Sequence, residues 1–139
     1  MLDEFNIKII ELLKKNARAS YAEIGREIHL SPSSVRERVQ YLIDTGIIKG
    51  FNVEIDQTQL GFGLQAFILI KLFSGKLKNF ISIANEFKEV QHCYRITGNQ
   101  NVMLRVILKD QKHLQDFLDI IMVYGDTTTY MVLSEIKDE

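Results

Sequence analysis

The residues best suited to chemistry form one short run, Ser31-Pro32-Ser33-Ser34-Val35-Arg36-Glu37-Arg38-Val39-Gln40. A guanidinium is a planar fork that matches the O6 and N7 acceptors of guanine, and a glutamine amide matches an adenine edge. Each such pair discriminates between bases by about 1–3 kcal/mol. Arg36 and Gln40 are one helical turn apart, so a helix presents both on one side. Ser31, Ser33 and Ser34 open that helix, where backbone N–H groups and the positive dipole end favour phosphate or base contacts. Arg38 flanks the same face, and Lys49 follows where it could meet a phosphate backbone. The competing reading is an ordinary solvated helix face built from Arg36, Glu37, Arg38 and Gln40.

Other chemistry-bearing residues are scattered. His92-Cys93 falls mid-strand without a second cysteine, which favours a buried thiol over a metal site. His29 and His113 have no nucleophile partner visible in sequence. Gly61-Phe62-Gly63 lacks the strand–turn–helix setting that phosphate binding needs. Tyr94 and Arg95 alternate on a strand as packing and surface residues do. No catalytic set, metal or cofactor is expected, and the chain does not read as an enzyme.

Three short helices must position the first run. Phe5, Ile9, Ile10, Leu12 and Leu13 have helical spacing behind Asp3 as N-cap. Ser20 and Glu23 form a capping box ahead of Ile24 and Ile28. Ser31-Pro32 supplies the cap and first residue of a third helix that buries Val35, Val39, Leu42 and Ile43 and ends at Gly46. Residues 20–45 therefore read as a helix–turn–helix, with the third helix offered to a major groove. Ile47 to Ile55 alternates around Gly50 and predicts a two-stranded ribbon, a wing beside the helices.

The apolar period breaks over residues 56–63, DQTQLGFG, which reads as a linker between domains at 1–55 and 64–139. Beyond it come strand 64–73, a helix through Leu77, Phe80, Ile81, Ala84 and Phe87, strands 90–97 and 101–108, a helix capped by Asp110, and strand 127–136. The order β-α-β-β-α-β predicts a ferredoxin-like sandwich with both helices on one face, making the chain α+β overall. Gly98-Asn99-Gln100 reads as a plain hairpin turn, since glycine and asparagine accept positive φ. The strands are apolar on both faces, where a solvated face should be polar. A bare apolar sheet face of that size predicts sheet-to-sheet dimerisation.

Composition narrows the class. With 46% hydrophobic and 25% charged residues the chain can build a core, so disorder is excluded. The single cysteine excludes a disulfide framework and fits a reducing compartment. An acidic start and the absence of a long apolar run predict a cytoplasmic protein without a membrane partner, nucleoid-associated through the DNA contact expected of residues 31–40. The net charge is −1, and residues 1–50 carry eight Lys/Arg against seven Asp/Glu. Nucleic-acid binding by bulk charge is thereby excluded, and any DNA contact must come from placement.

The segment from Leu2 to Asp56, and above all LSPSSVRERVQYLIDTGIIKGF (30–51), closely resembles the DNA-binding domain of the Lrp/AsnC (feast/famine) transcriptional regulators. The second half is similar to that family's effector domain in element order and in its ending, TTTYMVLSEI. The resemblance implies a regulator that binds double-stranded DNA as dimers, often joined into octamers, and frequently senses a free amino acid between dimers. It places an effector near Gly98, Asn99, Gln100 and Asn101, with Thr128 and Thr129 close by. The family's turn usually reads Gly-Asp-x-Asp with an aromatic after it. Here it is Gly98-Asn99-Gln100-Asn101-Val102, with amides for both carboxylates, which leaves open a changed ligand, weak binding or none. A ligand-independent architectural DNA protein is the main alternative. An enzyme on the second domain would need convergent titratable groups the sequence does not display. A protein-binding helix–turn–helix is permitted by the neutral head charge but opposed by the surface of residues 31–40.

Overall fold

The computed structural model describes residues 2–137. The chain divides between Glu54 and Ile55 into two compact units.

The first unit holds α1 (Glu4–Lys15), α2 (Tyr21–Ile28) and α3 (Pro32–Asp44). Each start is fixed by local chemistry. Asp3 caps α1 by accepting from the Asn6 N–H, Ser20 and Glu23 close a reciprocal capping box on α2, and Ser31 accepts from the Ser34 N–H. The helices close over Ile9, Ile24, Ile28, Val35, Val39 and Leu42. The turn from α2 to α3 is very tight. His29 adopts φ 61°, and the Leu30 N–H donates to the Gly25 carbonyl at 3.0 Å. A Cβ on Gly25 would collide with the Leu30 carbonyl oxygen, so glycine is required there by close approach. Gly46, at φ 78°, turns the chain out of α3.

The ribbon expected over 47–55 is not formed, and these residues contain no strand. Gly50 is outside the positive-φ region that a tight hairpin turn uses, and Phe51, Val53 and Ile55 are all exposed. An isolated pair of short strands with no third strand to join is marginal at best, and of these residues only Ile48 packs on the helical core. The helix–turn–helix therefore has no wing in this chain, and Lys49 lies on an exposed loop. Residues 57–60, expected to be linker, form one 3-10 turn capped by Asp56.

The second unit contains β1 (Leu64–Leu72), α4 (Leu77–Ala84), β2 (Val90–Arg95), β3 (Val102–Leu108), α5 (Gln111–Ile121) and β4 (Gly125–Met131). The strand order is β2-β3-β1-β4, every pair antiparallel, which is the split βαβ arrangement anticipated from the element order. Ala66, Ile68 and Ile70 of β1 and Val102, Leu104, Val106 and Leu108 of β3 bury one face against Phe80, Ala84, Phe117 and Ile121. The opposite parity carries Phe67, Leu69 and Met103. By register Tyr130 lies beside Phe67, and Tyr94 beside Met103. Phe67, Tyr94 and Tyr130 are 37, 50 and 54% exposed, so this face carries an uncovered apolar patch, with Arg105 directly opposite Phe67 within it. β4 starts two residues earlier than the sequence suggests and stops at Met131, leaving Leu133 and Ile136 exposed.

Candidate nucleic-acid interface

Helix α3 is the element that sorts the candidate residues. Val35, Val39 and Leu42 face the core, which turns Ser33, Arg36, Glu37 and Gln40 outward, all exposed except as their own neighbours shade them. Among the described residues no side chain pairs with Arg36, so its fork is free. The Gln40 amide donates to Asp44 at 2.8 Å. An exposed pair one turn apart is worth only about 0.2–0.5 kcal/mol, so a base edge offering two hydrogen bonds outcompetes it.

At the head of the helix the Ser31 hydroxyl is occupied. It accepts from the Ser34 N–H at 3.1 Å and lies 3.2 Å from the Ser33 Oγ. Ser33 is the serine most available to an incoming phosphate, beside its own backbone N–H, since Pro32 has none and the Ser34 and Val35 N–H groups are taken by Ser31. Ser34 is half-buried and borders a shallow depression with Asp3, Asn6, Glu37, Arg38 and Tyr41.

Arg38 is not on the outer face. Its Nη1 donates to Asp3 Oδ2 at 2.6 Å and to Asn6 Oδ1 at 3.2 Å, and its Cζ stands 5.1 Å from the centroid of the Phe5 ring. The guanidinium is held by α1, so the expected flanking DNA contact would compete with Asp3 and Asn6 for it. The signal was present in the spacing, since Arg38 lies three residues after Val35 and next to Val39, on the inner arc of the helix. The Arg38 hydrogen bond, helped by the Asn6 N–H, holds the Asp3 carboxyl below the usual carboxylate range. The pair is thus intact throughout the neutral range and loosens only as acid titrates the carboxyl below its ordinary range.

In the second unit the turn residues do not form one site. Gly98 takes φ 109°, as a turn glycine does, and Asn99 is exposed. Asn101 is a structural pin. Its Oδ1 accepts from the Leu72 N–H and its own N–H donates to the Ile70 carbonyl, each at 2.9 Å, while its carbonyl accepts from the Ile96 N–H. The side chain thereby acts as an extra backbone acceptor at the end of β1. Thr128 lies opposite Leu69 and Thr129 opposite Ile68, so strand alternation sends them to opposite faces of the sheet. At most one of them can share a face with any given ligand.

Of the remaining candidates, Cys93 is on the edge strand and exposed, not the buried thiol expected, although partial desolvation still raises its thiol pKa. His113 is a joint, not a free base. Its Nδ1 accepts from the Lys109 N–H and its Nε2 lies 2.9 Å from Glu89 Oε2, which places the ring proton on Nε2. Sequence offered no sign of that pairing, because Glu89 is 24 residues away. Among the described residues no three His, Cys, Asp or Glu side chains gather as a metal site, and no helix is long and apolar enough to cross a membrane.

A trihelical unit with an exposed recognition helix, carried in one chain with a split βαβ sandwich, defines a helix–turn–helix regulator with an attached second domain. An AsnC-type helix-turn-helix domain matches residues 2–43, and the Lrp/AsnC ligand binding domain matches residues 65–139. The HTH-type transcriptional regulator LrpC of Bacillus subtilis is 36% identical over 97% of this chain and 94% of its own length. Ptr1 of Methanocaldococcus jannaschii, another HTH-type transcriptional regulator, is also 36% identical, over 99% and 96%. The solved structure of B. subtilis LrpC superposes with a TM-score of 0.95 at 35% identity, covering 100% of this chain and 99% of that one. A transcriptional regulator from Neisseria meningitidis, solved as an L-Met complex, gives 0.94 at 27% identity, covering 99% and 94%. The chain belongs to the Lrp/AsnC family of DNA-binding transcriptional regulators.

Proposed function

We propose that this regulator reads specific DNA through the outer row of α3, with Arg36 and Gln40 on base edges, Ser33 and the α3 N-terminus on a phosphate, Ser31 and Ser34 shaping that end, and Lys49 on the backbone. The observation that carries the reading is the free Arg36 fork on the exposed face of α3, whose inner face α1 and α2 hold in a shared core. Two copies join across the bare sheet face of Phe67, Leu69, Met103, Tyr94 and Tyr130, and larger assemblies up to an octamer follow the family resemblance. Such a dimer meets half-sites about one helical turn apart, or a multiple of it. It acts by binding, with no catalytic step, inside the cytoplasm. The domains are taken as 1–55 and 64–139 around the linker 56–63.

A small-molecule effector, an amino acid or a close relative, acts by favouring one assembly over another, since equal affinity for both shifts nothing. The L-Met complex of the Neisseria relative supports this reading. The pinned Asn101 favours the alternative, an architectural protein indifferent to any ligand, because its acceptor oxygen is already engaged. Fluorescence anisotropy on DNA from upstream of its own gene, against a scrambled fragment at fixed salt, with and without pooled amino acids, separates the two. A preference that moves with the pool supports the regulated form. A preference that ignores it supports a ligand-independent regulator, and equal binding to both fragments supports the architectural form.

Within the same titration Arg36→Ala is expected to lose about 1–3 kcal/mol of preference, roughly 5- to 150-fold, with modest effect on the scrambled fragment. Lys49→Ala is expected to weaken both fragments alike and to reduce the salt slope by about one. Equal losses on both fragments for both variants would overturn this division of roles.

A further inference from the structure

The DNA-reading proposal leaves Arg38 without a role, although it is the arginine of α3 with the most partners. Asp3 and Asn6 come from the first turn of α1 and converge on one guanidinium nitrogen, and Phe5 lies against the flat face. Asp3 does two things at once: Oδ1 caps α1 through the Asn6 N–H at 2.8 Å, and Oδ2 binds Arg38. Asn6 is only 4% exposed, so one member of the set is fixed in the interior. The ion pair itself is partly open to water, with side chains 28% and 42% exposed, and such pairs add little to stability.

What such a group contributes is direction. Beside this polar set, α1 packs on α3 through the apolar cluster around Ile9 and its half-buried neighbours. Apolar contacts resist separation but tolerate rotation, because the attraction has no preferred angle. Hydrogen bonds are directional and narrow in distance. A helix with its side chains has an outer radius of about 5–6 Å, so turning α3 by ~20° moves a side-chain tip by roughly 2 Å. That displacement is larger than the tolerance of a bidentate base contact. We propose that Arg38, Asp3 and Asn6 form a positioning clamp that sets the rotation of α3, and through it the aim of Arg36 and Gln40, without Arg38 touching DNA. This inference rests on the DNA-reading proposal above.

The clamp and a direct phosphate contact by Arg38 predict opposite signs for one substitution. Asparagine caps helices as well as aspartate does, so Asp3→Asn keeps the α1 cap and removes both the negative charge and the acceptor oxygen that hold Arg38. If the clamp positions α3, Asp3→Asn lowers the preference for the upstream fragment over the scrambled one by about threefold or more and leaves the salt slope unchanged. If Arg38 is a DNA contact held in reserve, the same variant frees it, tightening both fragments and steepening the slope. Arg38→Lys keeps the charge and loses the planar fork. The clamp predicts the same loss of preference for it, again with no change in slope. Combining Asp3→Asn with Arg38→Lys should cost no more than either alone. All are measured on the full chain by anisotropy across a salt series, with helical circular dichroism confirming a native signal. Tighter binding by Asp3→Asn, or additive losses in the double variant, overturns the clamp. A native chain with no preference between fragments overturns the DNA reading beneath it, so the two failures are distinguishable.

Discussion

Replacing Gly25 by alanine is expected to unfold the helical unit well below the native transition and to abolish sequence-specific DNA binding. Helix propensity alone argues the other way, since alanine in place of glycine within a helix gains about 1 kcal/mol. The geometry decides the sign. The added Cβ would overlap the Leu30 carbonyl oxygen, a backbone atom with no rotamer to escape into. That carbonyl belongs to the three-residue connection that also donates the Leu30 N–H back to Gly25 at 3.0 Å, so relieving the clash opens the turn between α2 and α3. Overpacking against movable side chains costs about 1–3 kcal/mol, and rigid backbone places this site at or above the upper end. A unit of some fifty residues has only about 3–8 kcal/mol of stability in total. At about 4–8 °C per kcal/mol, the transition of α1–α3 should fall by more than ~12 °C, read by hydrogen exchange of their peptides during heating. The sheet unit, with its own core, should keep its protection. An unchanged or raised transition in α1–α3 would refute the close-packed turn.

The parts of the molecule legible from sequence are those set by neighbours along the chain. Ser20 with Glu23, Ser31 with Pro32, and Asp110 ahead of α5 announce helix starts because a cap is chemistry between residues two or three apart. The strand alternation of Ala66, Ile68 and Ile70 announces which face is buried for the same reason. Where sequence reading fell short, the deciding partner lay elsewhere. Ile47 to Ile55 has a strand's local pattern, but a strand also needs something to pair with, and this chain supplies nothing there. Arg38 reads as a surface charge until Asp3, 35 residues earlier, is brought beside it. Asn101 reads as a turn residue until register places it against Leu72, 29 residues away, where its amide becomes a backbone-like acceptor. An aspartate there could accept the same bond, so the amide preserves the pin while removing a negative charge from the turn.

Phe67→Glu is expected to convert the protein to monomers and, through that change alone, to weaken specific DNA binding by about two orders of magnitude. Phe67 is in the middle of the bare face, with Arg105 across from it on β3 and Tyr130 on β4. In a monomer the substitution is mild. The residue is already 37% exposed, and an introduced carboxylate would lie directly opposite the Arg105 guanidinium, a cross-strand pair that favours the folded sheet. In a dimer closed through this face the carboxylate would be taken out of water with Arg105 as its partner and the Phe67 ring would be lost from the contact, and desolvating such a pair costs more than the apolar contact it replaces. A stable association needs about 800 Å² from each partner with an apolar centre, so charging the centre acts where the interface can least absorb it. Each freed head then binds its half-site alone and loses the high effective concentration supplied by its partner. Sedimentation at micromolar concentration, a thermal melt and the anisotropy titration together read the three consequences. The expected pattern is a native dimer, a monomeric variant with a melt near the native one, and a selective loss on the two-half-site fragment. A native chain that sediments as a monomer, or a variant that still dimerises, would show that the apolar sheet face serves another purpose.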